Sequence, residues 1–297
     1  MSIPFRSKLT VRKLQGYKHS GCPDTAQAMG RRLRPHPHAL AQRWVPERGF
    51  IQIEQPALED PKDILHRARQ LDQIDRNTRL FLSGKPANHV LLWGARGTGK
   101  SAMIRAMLTR YGGEDFGVIE LDHAGLSALA DLIQILTRTP RRYVLFVDDL
   151  SFEAQDMRYK SLKALLDGSL MTPPVNILVY ATSNRRHLLP ESMQDNLEGR
   201  VIDGELHEGD AIDEKVSLSE RFGLWLAFHP FSQEQYLDIV RAHLTVGSIG
   251  DERGGWNEGT EWQVEALRFA RLRGSRSGRV AAQFVQYWNS MRMPASM

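Results

Sequence analysis

The segment Gly94-Ala95-Arg96-Gly97-Thr98-Gly99-Lys100-Ser101 constrains the fold more tightly than any other stretch of this chain. It follows a short apolar run, His89 to Trp93, and opens a helical pattern that continues from Lys100 to Tyr111. A strand that turns into a helix through three glycines exposes backbone N–H groups at the helix N-terminus, where the first donors lack acceptors. That arrangement cradles phosphate. The helix end adds positive potential, Lys100 is placed to reach the β and γ phosphates of a nucleotide, and Ser101 to coordinate magnesium. All eight residues from Gly94 to Ser101 are therefore candidates for holding a nucleotide.

Such a loop needs an acidic partner at the tip of another buried strand. Tyr143 to Val147 is an apolar run that ends in Asp148-Asp149. Two carboxylates at the end of a buried strand are costly unless they hold a cation or cap the next turn as solvated acids. Asp148 is assigned as the magnesium-side ligand, acting through water, and Asp149 as the group that polarises an attacking water.

Around these motifs the pattern alternates. Further apolar runs at Phe116 to Leu121, Val175 to Ala181 and Leu224 to His229 read as strands. Between the strands, Leu126 to Arg138 and Ala154 to Leu170 read as helices, and another helical stretch runs from Asp60 to about Leu82. Continuous apolar strands separated by amphipathic helices predict an α/β fold, a parallel sheet covered on both faces. After Pro230 the strand pattern ends. Ser232 to Leu244 and Glu261 to Met291 read as helices joined by a glycine-rich loop. The expected organisation is a basic, disordered arm over 1–49, a nucleotide domain over 50–230 and a helical lid over 231–297.

Charge supports setting the arm apart. Residues 1–50 hold ten Lys/Arg against two acids, while the remainder of the chain is net negative. The arm is a possible contact for nucleic acid, since basic clusters bind phosphate through charge alone, or simply a solvated tail. No apolar stretch of signal-peptide length follows its basic start, no run approaches the ~20 apolar residues of a membrane span, and Cys22 is the one cysteine. These features point to the cytoplasm and give no disulfide or Cys-rich metal site. None of the ten histidines shows metal-site spacing.

Taken together, the phosphate loop, the Asp148-Asp149 strand end, a later strand ending at Asn184 and a terminal helical region resemble an AAA+ ATPase. More narrowly, Phe81 to Asn88, Asp148 to Glu153, Ala181 to His187 and Ser217 to Gly223 resemble the bacterial domain-of-unknown-function 815 family of AAA+ proteins. The resemblance implies further roles. Asn184 matches the polar residue that senses the γ-phosphate and orients water. Arg221 matches the arginine finger that reaches a neighbouring subunit's nucleotide, and Arg279, with Arg276 as competitor, matches the lid arginine that faces the nucleotide. Where most of the superfamily has Asp-Glu at the strand end, this chain has Asp148-Asp149, one methylene shorter, so slow hydrolysis is expected.

The expected activity is Mg2+-dependent conversion of ATP to ADP and phosphate by a homo-oligomer, with an unidentified protein partner and no membrane. Two alternatives remain open: a nucleotide-gated binding protein in which hydrolysis is a slow reset, and a DNA-directed loader or initiator.

Overall fold

The structure is a computed structural model that describes residues 34–151, 157–167, 174–185, 201–202, 205–206, 218–247 and 261–292. Residues 1–33, Glu153, most of the acidic segment 191–214 and the loop 248–260 lie outside the described residues.

The strands are β1 (Ala41–Val45), β2 (Gly49–Gln52), β3 (Val90–Gly94), β4 (Phe116–Leu121), β5 (Arg142–Val147), β6 (Ile177–Ser183), a small pair β7 (Val201–Ile202) and β8 (Glu205–Leu206), and β9 (Leu224–Phe228). The helices are α1 (Ala68–Leu82), α2 (Lys100–Tyr111), α3 (His123–Ser127), α4 (Leu129–Leu136), α5 (Met157–Asp167), α6 (Gln233–Gly247), α7 (Glu261–Leu272) and α8 (Gly278–Arg292). Seven strands form one sheet in the order β2-β1-β4-β5-β6-β3-β9, parallel throughout except for the antiparallel β1–β2 pair at one edge. The expected α/β class is the observed one.

Strand alternation builds two cores. In β5, Tyr143, Leu145 and Val147 join a cluster with α3, α4 and α5, while Val144 and Phe146 face Ile74, Phe81, Met103 and Met107 of α1 and α2. Every residue of β6 is buried, which is why this central strand reads as an unbroken apolar run. At its start, the Val179 N–H donates to His89 Nδ1 at 3.0 Å. Burial of this imidazole pushes its pKa down to about 4. The helices α6, α7 and α8 pack around their own cluster, with Tyr236, Val240 and Phe284 at its centre.

The sheet starts earlier than the expected boundary at residue 50. β1 pairs with β4 through Ala41 to Trp44, burying Ala41 and Trp44 while Arg43 faces outward to Glu120. The buried Arg141 guanidinium fastens the preceding segment, donating to the carbonyls of His36, Pro37, Ala39, Gly113 and Phe116 at 2.6–3.1 Å. Residues 34–49 therefore belong to the sheet layer and not to a disordered arm. The density of basic residues hid a short alternating strand.

Three expected helices are also broken, one of them at Ala128, which separates α3 from α4 within the stretch read as Leu126 to Arg138. The stretch from Asp60 splits into a 3-10 turn (Pro61–Asp63) and α1, because His66 adopts a left-handed φ of 57°. The last helical stretch divides at Gly274, φ 65°, where Ser275 N–H donates to Ala270 O and Gly274 N–H to Arg271 O, the Schellman pattern that ends α7. Among the described residues, no helix is long and apolar enough to cross a membrane.

Candidate functional site

Parallel strands bring their C-terminal ends to one edge of the sheet, and β3, β5, β6 and β9 end around one cleft. The cleft has a volume of about 670 Å3 and is lined by Arg96 to Ala102, Asp148, Asp149, Thr182, Asn184, Gly278 and Arg279. Its other wall is formed by Ile64, Leu65 and Arg67 before α1, and by Phe231, Ile239 and His243 around α6.

The phosphate-loop glycines are required by conformation. Gly94 has φ 133°, and a Cβ there would stand 2.1 Å from Phe228 O on β9. Gly97 has φ 72°, and a Cβ there would meet Ser277 Oγ at 2.8 Å. Met103 is the first residue of α2 whose N–H reaches back to the loop, donating to Gly99 O at 3.1 Å. The N–H groups of Gly99 to Ala102 therefore lie ahead of the helical ladder and face the cleft end of α2.

Lys100 is 8% exposed, and its ammonium donates to Gly94 O at 2.7 Å, Ala95 O at 2.8 Å and Asn184 Oδ1 at 3.1 Å. Burial lowers its pKa, an effect opposed by Asp149 and Asp148. Ser101 Oγ donates to Asp148 Oδ1 at 2.8 Å, and that same carboxylate oxygen accepts from Thr182 Oγ1 at 2.6 Å. The Thr182 hydroxyl in turn accepts from Asp149 N–H at 2.8 Å. Asp149 sits in the left-handed region, φ 52°, and its carboxylate accepts from Asn184 Nδ2 while facing Arg96 at 3.6 Å.

The structure thus brings Arg96, Lys100, Ser101, Asp148, Asp149 and Asn184 into one connected set. Gly94 and Ala95 do not line the cleft; their carbonyls hold Lys100 from behind. Of the two competing arginines, Arg279 lines the cleft and Arg276 does not. Gly278 N–H donates to Gly97 O at 2.9 Å, which ties the start of α8 to the phosphate loop. Arg221 lies elsewhere, paired with Asp167 beside a second cleft of about 360 Å3.

Three participants were given no role by the sequence. Thr182 is 1% exposed and aligns both acidic residues. Arg67 is 6% exposed, stacks on Phe231 at 4.1 Å, and donates to Thr98 O at 3.2 Å and His229 O at 2.6 Å. It bridges the loop to the chain leaving β9, and burial lowers its pKa. The third participant is the apolar wall of Ile64 and Leu65, whose place depends on the break before α1. Ser101 and Asp148 offer hard oxygens 2.8 Å apart, a donor pair suited to Mg2+. Among the described residues no group of three or more His, Cys, Asp or Glu side chains forms a metal site.

Residues 37–292 match the sequence profile of a family described as protein of unknown function (DUF815). Among solved structures, the chain is similar to the Thermotoga maritima RuvB Holliday junction branch migration motor: 16% identity, TM-score 0.46, covering 78% of this chain and 63% of that one. It is also similar to the Aeropyrum pernix Orc1 protein in complex with DNA: 16% identity, TM-score 0.52, covering 82% of this chain and 67% of that one. The chain spans as little as 60% of the length of the RuvB chains it matches. No curated protein sequence matches significantly. At these identities the likeness to the Orc1 structure bears on the fold alone, the α/β class that the sequence predicted.

Proposed function

The chain belongs to the DUF815 family, and from that premise we propose that it binds ATP with Mg2+ in this cleft and hydrolyses it to ADP and phosphate at a site shared between subunits. One observation carries the reading: Lys100, Ser101, Asp148, Asp149 and Asn184, contributed by two strand ends and one helix start, form a single hydrogen-bonded set at the end of α2.

In this reading the free N–H groups at the start of α2 take the phosphate oxygens, and Lys100 turns from the loop carbonyls towards the terminal phosphates. Ile64, Leu65, Phe231 and Ile239 give the base an apolar slot, and Arg279 faces the nucleotide from α8. Ser101 and Asp148 would hold Mg2+, which neutralises charge on the phosphate oxygens. Asp149 accepts a proton from the attacking water while Asn184 orients that water and the carboxylate together. Arg221 of a neighbouring copy stabilises charge on the transferred phosphoryl group.

Asp149 is one methylene shorter than glutamate and is engaged by both Asn184 and Arg96. That pairing favours slow turnover, in which bound ATP gates an interaction and hydrolysis resets it. Phosphate release separates the readings. Asp149→Asn is expected to keep ATP binding and lose turnover ~100-fold or more, and Lys100→Ala to lose both. Mixing Arg221→Ala with Lys100→Ala protein is expected to restore part of the activity, since only the mixture pairs an intact loop with an intact finger. No restoration would overturn the shared site, and no release above Lys100→Ala would leave the gating reading. A cytoplasmic location fits this chemistry and remains part of the proposal.

A further inference from the structure

The helical region carries a charge pattern of which the nucleotide site uses only Arg279. Residues 266–297 contain six arginines and no lysine, aspartate or glutamate. Three of them, Arg271, Arg273 and Arg276, fall at the turn between α7 and α8, where every residue from Arg271 to Arg276 is exposed. None of the three makes an ion pair among the described residues, in contrast to Arg268, which faces Glu265.

The turn is also fixed. The Schellman bonds at Gly274 and Ser275 close its first half. Its second half is held by Ser277, whose Oγ accepts from Val280 N–H at 3.3 Å, and by the Gly278 contact to Gly97 O. Like charges held together in a rigid turn repel, so the turn favours a polyanion over bulk solvent. The absence of lysine matters, because guanidinium groups grip phosphate through paired N–H donors.

An aromatic surface adjoins the charges. Tyr287 on α8 is 46% exposed and stacks on Phe269 at 5.6 Å with planes 28° apart, while Arg273 covers Phe269 at 5.2 Å. One face of the Tyr287 ring is thus backed by protein and the residue remains open to solvent. Arginines beside an exposed, supported ring are the elements of single-strand recognition, the charges taking the backbone and the ring a base. An acidic protein surface would use the arginines but leave Tyr287 without a role.

We infer that the α7–α8 turn binds single-stranded nucleic acid, with phosphates on Arg271, Arg273 and Arg276 and a base on Tyr287. The inference is independent of the ATP reading and of the basic residues before 34. The test is fluorescence anisotropy of a labelled oligothymidylate with the full chain across a salt series, without nucleotide. Wild type is expected to bind. The combined variant Arg271→Gln, Arg273→Gln, Arg276→Gln is expected to bind at least tenfold more weakly at low salt. It should also flatten the slope of log K against log salt by about 2, from three lost phosphate contacts on a single strand. Tyr287→Ala is expected to weaken binding about fivefold or more without changing that slope. Unchanged melting curves establish that the variants fold, since all four side chains are exposed. Absence of wild-type binding, a combined variant with wild-type affinity and slope, or a Tyr287→Ala protein that binds as wild type would each overturn the inference.

Discussion

Thr182→Val replaces the buried hydroxyl between the two acidic residues with a methyl group of nearly the same volume. The hydroxyl donates to Asp148 Oδ1 at 2.6 Å and accepts from Asp149 N–H at 2.8 Å. Losing a charge-assisted bond costs about 1.5 kcal/mol in a partly exposed setting, and leaving a backbone N–H without its acceptor costs about 1 kcal/mol or more. Both bonds share one oxygen, so the terms are not independent, and the expected loss is about 2–3 kcal/mol. Thr182→Ser keeps the hydroxyl and removes one methyl, a loss of about 1 kcal/mol. Urea unfolding of the two variants beside wild type measures the difference. Valine should also weaken Mg·ATP binding, because Asp148 loses the contact that aims it towards Ser101, whereas serine should retain it. A valine variant as stable as the serine variant, or one with wild-type nucleotide affinity, would refute the argument that this hydroxyl sets the acidic pair.

Other expectations follow from single contacts. The folded pKa of His89 is depressed to about 4 from 6.5, so the unfolded chain binds more protons between these values and stability falls as pH drops from 6.5 to 4. Over that window wild type should lose about 2–3 kcal/mol relative to His89→Gln, measured by denaturation at successive pH values; equal losses would contradict the assignment. Gly94→Ala forces a Cβ against Phe228 O at φ 133° and should cost more than about 3 kcal/mol in urea unfolding. Gly113→Ala, where a Cβ meets nothing within 4 Å, should be nearly neutral in the same experiment. Arg67→Met leaves Thr98 O and His229 O without their buried donor and should destabilise the chain by about 2–4 kcal/mol. It should also weaken ATP binding tenfold or more in a titration, because the phosphate loop loses its link to β9.

Much of this site was legible in the sequence because its chemistry is local. The phosphate loop occupies eight consecutive residues, and its strand–turn–helix setting is visible in the flanking apolar pattern. Asp148-Asp149 is legible for the same reason, as paired charge ending an apolar strand. The roles of Arg67 and Thr182 were not, since their partners lie 31 to 162 residues away along the chain; Arg67 sits in no motif, and Thr182 lies in the stretch Ala181 to His187, whose role was read from Asn184 alone. The break before α1 escaped periodicity because Ile64 and Leu65 keep helical spacing while they line the cleft. β1 was hidden by composition. Trp44 and Ala41 face the core in a stretch otherwise read for its arginines, and Arg141, which secures that stretch, is itself a charge buried among carbonyls. The choice between Arg279 and Arg276 needed three dimensions, because the two lie on either side of the turn that enters α8.

Titration of the full-length protein with Mg·ATP in a calorimeter tests the central claim most directly. The account predicts saturable heat with one site per chain, in the micromolar to millimolar range, that disappears in Lys100→Ala while Lys100→Ala protein stays folded. Heat that persists undiminished in that variant, or none in wild type, would contradict it.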